Sequence, residues 1–121
     1  MVARVVREPD GATVVEPLHV CRTARQRMRG LLGREGLDDA EGMWFPHCRM
    51  IHTLGMKFPI DLVYLDGERK IRKVVEAMRP ARLSACLVAD SVIELKSGAA
   101  RRLGLARGVR LRIEDGAPGA P

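Results

Sequence analysis

The stretch Ile51-His52-Thr53-Leu54-Gly55-Met56-Lys57-Phe58-Pro59-Ile60-Asp61 decides the fold, because the strongest strand signal of the chain begins at its end. Residues 60–65 (IDLVYL) are apolar on both faces except for Asp61. This pattern is typical of a central strand that is buried on both sides of a sheet. A turn pair, Asp66-Gly67, follows, and residues 70–76 resume extended character with several cations. We therefore predict a hairpin whose second strand has a solvent-exposed face or lies at an edge.

Strand signals continue on both sides of this hairpin. Residues 2–8 and 13–20 are rich in β-branched residues and flank the turn signal Pro9-Asp10-Gly11, which predicts another hairpin. Glu94 alternates with apolar neighbours, so we expect its strand to have one solvent-facing side. The remaining predicted strands are short, and they cover residues 42–46, 86–89, 91–95 and 109–113.

Two helices are predicted. Thr23 and Gln26 form a capping box, and apolar residues at helical spacing follow as far as Gly33, a residue that can end a helix. A short second helix is expected at 99–103, with Ser97 as a possible cap. The predicted fold class is α+β: a single β-rich domain, with a small twisted or barrel-like, mostly antiparallel sheet, one main helix and a short second helix. We expect the domain to span residues 1–113 and residues 114–121 to form a flexible tail.

Composition narrows the classes of function. A length of 121 residues fits one domain, and an aromatic share of 3% argues against a stacking platform for bases. The net charge of +6 allows weak nucleic-acid binding, but the cations are spread along the chain, which favours an ordinary arginine-rich surface. The three cysteines contain no CxxC pair, and no apolar segment of leader or membrane-spanning length is present. We therefore predict a cytoplasmic protein with reduced thiols and no membrane partner.

Asp61 is the most informative polar residue. In a strand it shares a face with Val63 and Leu65, and a carboxylate in such surroundings needs a partner. Arg27, Arg82, the Thr53 hydroxyl and His52 are the candidate partners. Asp61 is then either a ligand-binding or catalytic carboxylate in a pocket or a structural pin, such as a salt bridge to the helix. We favour the pin.

His52 and Thr53 precede the central strand, at its mouth, where loop residues often bind ligands. His52 has the chemistry of an acid, a base or a donor to an anionic ligand. The alternative, which we favour slightly, is a histidine that holds the loop in place by hydrogen bonds.

His47, Cys48 and His52 are the weak candidates for metal ligands, because histidine and cysteine bind zinc or copper. Their spacing is loose and no second ligand pair is apparent, so we predict no metal and no cofactor. Cys48 as a nucleophile would need a nearby base. The sequence has no G-x-S-x-G elbow, no phosphate-binding glycine loop and no H-E-x-x-H motif.

Four segments together resemble the bacterial and archaeal family called domain of unknown function 192. They are residues 27–34 (RMRGLLGR), 42–45 (GMWF), 52–61 (HTLGMKFPID) and 92–98 (VIELKSG). The resemblance covers about residues 13 to 113, and it implies a compact β-rich α+β domain with no established activity. This chain has Ala81 where the family often has an aromatic residue, and Gly108-Val109 where Gly-Asp is common.

Three hypotheses of function follow. The first is a small-ligand or partner-binding module with a site at the mouth of the central strand, formed by His52, Thr53, Asp61, Arg27 and Arg82. Its partner would be a small molecule or a protein. The second is a cytosolic, hydrolase-like enzyme that uses His52 and Asp61 as acid and base. The third is weak nucleic-acid binding through surface arginines.

Overall fold

The structure is a computed structural model that describes residues 2–22 and 36–115. That part of the chain is mostly β, with nine strands and one short helix. In chain order the elements are β1 (Val2–Arg7), β2 (Ala12–Val20), β3 (Gly42–Pro46), β4 (Met50–His52), β5 (Ile60–Leu65), β6 (Ile71–Met78), β7 (Leu83–Ala85), β8 (Ser91–Lys96), α1 (Ala99–Arg102) and β9 (Leu111–Asp115).

The predicted α+β class is therefore wrong, since the described residues form a mostly β fold. Their helical content is limited to α1, which has four residues. Gly98 rather than Ser97 is its N-cap, with a φ of 91°. The main helix was predicted over residues 23–33, and this segment lies outside the described residues. No described helix has the length and apolar character needed to cross a membrane.

Seven strands form one curled sheet in the order β6-β5-β8-β3-β2-β1-β9. Its neighbouring strands are antiparallel except for the parallel pair β2–β3. β3 begins at a glycine because a Cβ on Gly42 would lie 2.8 Å from Cγ1 of Val15. The two outer strands meet at one end through an isolated bridge between Lys70 and Arg110. The sheet is thus a partly closed barrel.

Two apolar cores lie on the two faces of this sheet. On β5, Val63 and Leu65 belong to the inner core, whereas Leu62 and Tyr64 belong to the outer core. β4 and β7 pair with each other as a separate two-stranded sheet. Ile51 of β4 packs into the outer core, so β4 and β7 help to cover the outer face of the sheet.

Most strand predictions are confirmed. The β1–β2 and β5–β6 hairpins form, and β3 and β8 occupy the predicted segments. β9 continues to Asp115, so Glu114 and Asp115 lie in a strand although the sequence had placed them in the tail.

Two strand predictions are wrong. Residues 86–89 form a turn rather than a strand, and the strand of that region is β7, which precedes it. Glu94 is buried rather than solvent-facing. The reason is that Glu94 shares its face of β8 with Val92, which belongs to the outer core, so that face is covered as well as the inner one.

Candidate functional site

A cleft of about 510 Å³ lies between β6 and β7, and Arg82 is the one predicted site residue of the described chain that lines it. We call it the β6–β7 cleft. Strand β6 and the turn after it form one wall, and β7 forms the other. Its lining residues are Lys73, Val75, Ala77, Met78, Arg79, Arg82, Leu83, Ser84 and Ala85.

Asp61 supports this cleft from inside the barrel. It has 0% of its surface exposed, and its carboxylate accepts three backbone hydrogen bonds. Oδ1 accepts from the amide of Ala77 at 2.8 Å. Oδ2 accepts from the amides of Gly98 at 3.0 Å and Ala100 at 2.9 Å. Asp61 therefore joins β5 to β6 and to the start of α1, as the structural-pin hypothesis requires.

These backbone amides take the place of the side-chain partners that the sequence suggested for Asp61. Arg82, Thr53 and His52 do not contribute a hydrogen bond to it. Arg27, the remaining candidate, lies outside the described residues. A partner provided by main-chain amides leaves no mark in the sequence, because every residue except proline carries the same donor.

Thr53 organises the turn that follows β6. It has 0% of its surface exposed, and its hydroxyl donates to the carbonyl of Arg79 at 2.7 Å and accepts from the amide of Arg82 at 2.8 Å. Its own amide donates to the carbonyl of Arg82 at 2.9 Å, and its carbonyl accepts from the amide of Ala81 at 2.9 Å. Residues 79–82 are therefore folded around one buried threonine.

Asp61 and Thr53 each hold a residue of unusual backbone conformation beside the cleft. Ala77 has a φ of 49° and Ala81 a φ of 60°, both in the left-handed region. Residues with a Cβ are unfavourable there, and such conformations gather at functional sites. The amide of Ala77 is bound by Asp61, and that of Ala81 by Thr53. The hydrogen bonds of Asp61 and Thr53 thus hold Ala77 and Ala81, beside the cleft, in a left-handed conformation that is unfavourable for alanine.

The cleft is electropositive. Lys73, Arg79 and Arg82 line it, and no carboxylate does. None of the three forms an ion pair with a carboxylate of the described residues. The Lys73 ammonium donates to the carbonyl of Ala85 at 2.9 Å, and a guanidinium nitrogen of Arg82 donates to the carbonyl of Ala81 at 3.3 Å. The three cations keep most of their donors for a bound anion, since these contacts use one donor each.

Ser84 connects the cleft to the outer core. Its hydroxyl shares a hydrogen bond of 3.1 Å with the Tyr64 hydroxyl. Tyr64 is fully buried, and burial raises the pKa of its phenol, so it stays protonated at neutral pH. The pair fixes β7 against the barrel with a neutral contact.

The side chain of His52 is exposed, unlike those of its chain neighbour Thr53 and of Asp61. His52 lies on β4, where it pairs with Leu83 of β7, and it does not line the β6–β7 cleft. The structure thus brings Thr53 and Arg82 together at the cleft, with Asp61 behind Ala77. It leaves His52 on the outer surface.

The weak metal candidates are spread over a neighbouring loop and β4. Nδ1 of His47 is 3.7 Å from Oδ1 of Asp90, and the Cys48 thiol donates to the carbonyl of Met50 at 3.1 Å. Over the described ranges, no group of three or more His, Cys, Asp or Glu side chains is placed to hold a metal ion.

Lys73, Arg79 and Ser84 were not predicted as site residues. Lys73 reads as a solvent-facing cation of β6, and Ser84 as an ordinary loop hydroxyl. The only available signal was Arg79-Pro80-Ala81-Arg82, where two arginines flank a strand-breaking proline.

The comparisons with known proteins bear on family and fold. The model of the family domain of unknown function 192, described as "Uncharacterized ACR", matches residues 5–113. No curated protein matches the chain.

Two solved structures show the same fold. One is a protein of unknown function from Novosphingobium aromaticivorans, 22% identical, with a TM-score of 0.77, covering 93% of this chain and 84% of that one. The other, from Sinorhizobium meliloti, is described as a "putative transcription regulator". It is 24% identical, with a TM-score of 0.78, and the match covers 93% of this chain and 92% of that one.

Proposed function

The chain belongs to the family domain of unknown function 192, and we propose that it is a binding module for a small organic anion held in the β6–β7 cleft. The observation that carries this proposal is the charge of the lining, with three cations and no carboxylate around about 510 Å³. The cleft is open to solvent, so it would hold one side of a small ligand rather than enclose it. The ligand would carry a carboxylate or phosphate group and an apolar part.

The turn geometry supports recognition of an anion by Arg79 and Arg82. Guanidinium groups fork onto carboxylate or phosphate oxygens, and two of them at one rim give orientation as well as affinity. Thr53 binds the backbone of both arginines, so their Cα positions are set before a ligand arrives. A preorganised site loses less conformational entropy on binding.

The rest of the lining suits the apolar part of such a ligand. Val75, Met78 and Leu83 line the same cleft as the cations. An anion with a hydrocarbon portion would bury apolar surface there, which a bare inorganic ion would not. We therefore expect organic anions to bind more tightly than inorganic phosphate.

The geometry favours this binding role over acid–base catalysis by His52 and Asp61. Asp61 is fully buried with three amide donors, so it has no surface from which to exchange a proton with a substrate. His52 is exposed on β4 and does not line the cleft, although its strand partner Leu83 does. A general acid or base must come within hydrogen-bond distance of the reacting group.

The test is a thermal-shift screen with carboxylates and phosphate monoesters that carry aliphatic or aromatic groups, followed by calorimetry on those that stabilise the protein. We expect at least one to bind, and the double variant Arg79→Gln/Arg82→Gln to weaken it by at least about tenfold, since hydrogen bonds to charged groups are worth about 1.5–3 kcal/mol. Higher salt should weaken binding as well.

The control is Arg107→Gln/Arg110→Gln, which removes the same charge from residues that do not line the cleft. It should bind as the wild type does. If no compound of the screen binds, or if both double variants lose affinity equally, the β6–β7 cleft is not the anion site.

A further inference from the structure

A strip of exposed apolar side chains runs along the outer side of the β4–β7 pair. Every large hydrophobic side chain that is well exposed within residues 3–22 and 36–115 lies in this strip. The five members, with their exposed fractions, are Met50 (54%), Leu54 (59%), Leu83 (69%), Leu87 (83%) and Val88 (56%). We call this surface the ribbon face.

Strand pairing explains why these side chains point outward. The central pair, Ile51 and Ser84, faces the barrel, where Ile51 is fully buried and Ser84 bonds Tyr64. Side chains alternate along a strand, so the flanking pairs Met50–Ala85 and His52–Leu83 face away from it. Leu54 continues the strip beyond one end of the pair, and the turn at 87–88 continues it beyond the other.

The ribbon face is also cationic. The two segments that build it, residues 47–58 and 79–89, contain Arg49, Lys57, Arg79 and Arg82 and no Asp or Glu. Asp90, which directly follows the second segment, lies 3.7 Å from both His47 and Arg69. Two of these cations directly precede apolar members of the strip, as Arg49-Met50 and Arg82-Leu83. The partner that this surface fits must offer negative charge and an apolar layer together.

We infer that the ribbon face docks on the surface of an anionic phospholipid bilayer. Phosphate headgroups attract juxtaposed Lys and Arg, while the apolar side chains enter the boundary of the acyl layer. Leu87 is the most exposed of the five, so we expect it and its turn neighbour Val88 to enter the acyl boundary first. This membrane role is separate from the binding of a small anion, although the ribbon face and the β6–β7 cleft share Arg82 and Leu83.

Two other occupants fit the ribbon face less well. A second copy of the chain would bring one cationic face against another, which costs electrostatic energy. A protein interface collects its apolar residues at a centre and its charges at the rim. Here the exposed arginines Arg49 and Arg82 are chain neighbours of Met50 and Leu83, members of the strip itself.

This inference departs from the sequence prediction of no membrane partner. That prediction rested on the lack of a long apolar segment, which is required to span a bilayer. Docking at the surface requires only a few apolar side chains and several cations on one face.

The test is co-sedimentation of the full chain with vesicles of phosphatidylglycerol and phosphatidylcholine, compared with phosphatidylcholine alone. We expect binding to the anionic vesicles and little to the neutral ones. The double variant Leu87→Ser/Val88→Ser should lower the partition coefficient by about tenfold or more, because it removes two apolar side chains from the contact. Arg49→Gln should lower it about fivefold, the effect of one cation near an anionic surface.

The controls separate this inference from the cleft proposal. Leu87→Met/Val88→Ile keeps apolar side chains and should bind vesicles as the wild type does, as should Arg110→Gln. Leu87→Ser/Val88→Ser changes no residue of the cleft, so its affinity for a small anion should be unchanged. Failure to sediment with anionic vesicles, or equal sedimentation of the Ser double variant, would overturn the membrane inference. A concentration-dependent dimer that this variant abolishes would assign the face to self-association and overturn it too.

Discussion

Asp61 and the ribbon face are opposite cases of side chains in unexpected surroundings. At the start of β5, a carboxylate is fully buried and accepts hydrogen bonds from three backbone amides. On the ribbon face, five large apolar side chains are exposed to solvent. The carboxylate has its hydrogen-bond partners inside the domain, whereas the five apolar side chains are not covered by any described part of the chain. Asp61 thus contributes to the fold, whereas we propose that the ribbon face binds a partner outside the chain.

The substitution with the largest expected effect on stability is the removal of the Asp61 carboxylate. In Asp61→Ala, the amides of Ala77, Gly98 and Ala100 lose their acceptor in a buried site. We expect the free energy of unfolding to fall by about 3 kcal/mol or more, because each buried donor left unsatisfied costs about 1–3 kcal/mol. Urea denaturation followed by circular dichroism measures this change.

The isosteric variant Asp61→Asn keeps the shape and one acceptor oxygen, but it turns an amino group toward amides that are themselves donors. Its free energy of unfolding should lie between those of the wild type and Asp61→Ala. A loss below about 1 kcal/mol in Asp61→Ala would show that water or a shift of the chain replaces the carboxylate, and the pin interpretation would fail.

Much of the fold was predictable because its signals are local. The hairpins β1–β2 and β5–β6 have turn residues between β-branched runs, and the buried character of β5 is visible in its uninterrupted apolar pattern. Glu94 was misplaced because period-two alternation does not reveal that β8 is covered on both faces. That information is held in the packing of the outer core over the sheet, which brings together residues far apart in the sequence.

The second test concerns Thr53, whose hydroxyl holds the turn at residues 79–82. Thr53→Val conserves volume but removes a donor to the carbonyl of Arg79 and an acceptor for the amide of Arg82. We expect a loss of about 1–2 kcal/mol in unfolding free energy, together with weaker anion binding as the two arginines lose their fixed position. Chemical denaturation and calorimetry measure the two effects.

Thr53→Ser retains the hydroxyl and is the matched control, so it should preserve anion binding and most of the stability. His52→Ala, one residue away on the exposed side of β4, should change stability by less than about 0.5 kcal/mol. If Thr53→Val and His52→Ala have equal effects, Thr53 does not organise the cleft.

The candidate site was only partly predictable. The sequence singled out Thr53, Asp61 and Arg82 as candidates for a ligand site, and for Asp61 it favoured a structural pin over a ligand contact. Thr53 and Asp61 act through the backbone of residues 77–82, which adopts left-handed conformations at two alanines. Alanine carries no signal for that conformation, since glycine and asparagine are the residues that usually adopt it.

The smallest expected effect on stability belongs to the ribbon face. Leu87 is 83% exposed, so Leu87→Ser removes almost no buried surface and should change the free energy of unfolding by less than about 0.5 kcal/mol. Ile51, on the opposite side of the same two-stranded sheet, is fully buried, and Ile51→Ala should cost about 2–5 kcal/mol. Urea denaturation of both variants compares the two sides directly. A clear destabilisation by Leu87→Ser would mean that this side chain packs within its own chain in solution, and it would then not be available to a membrane.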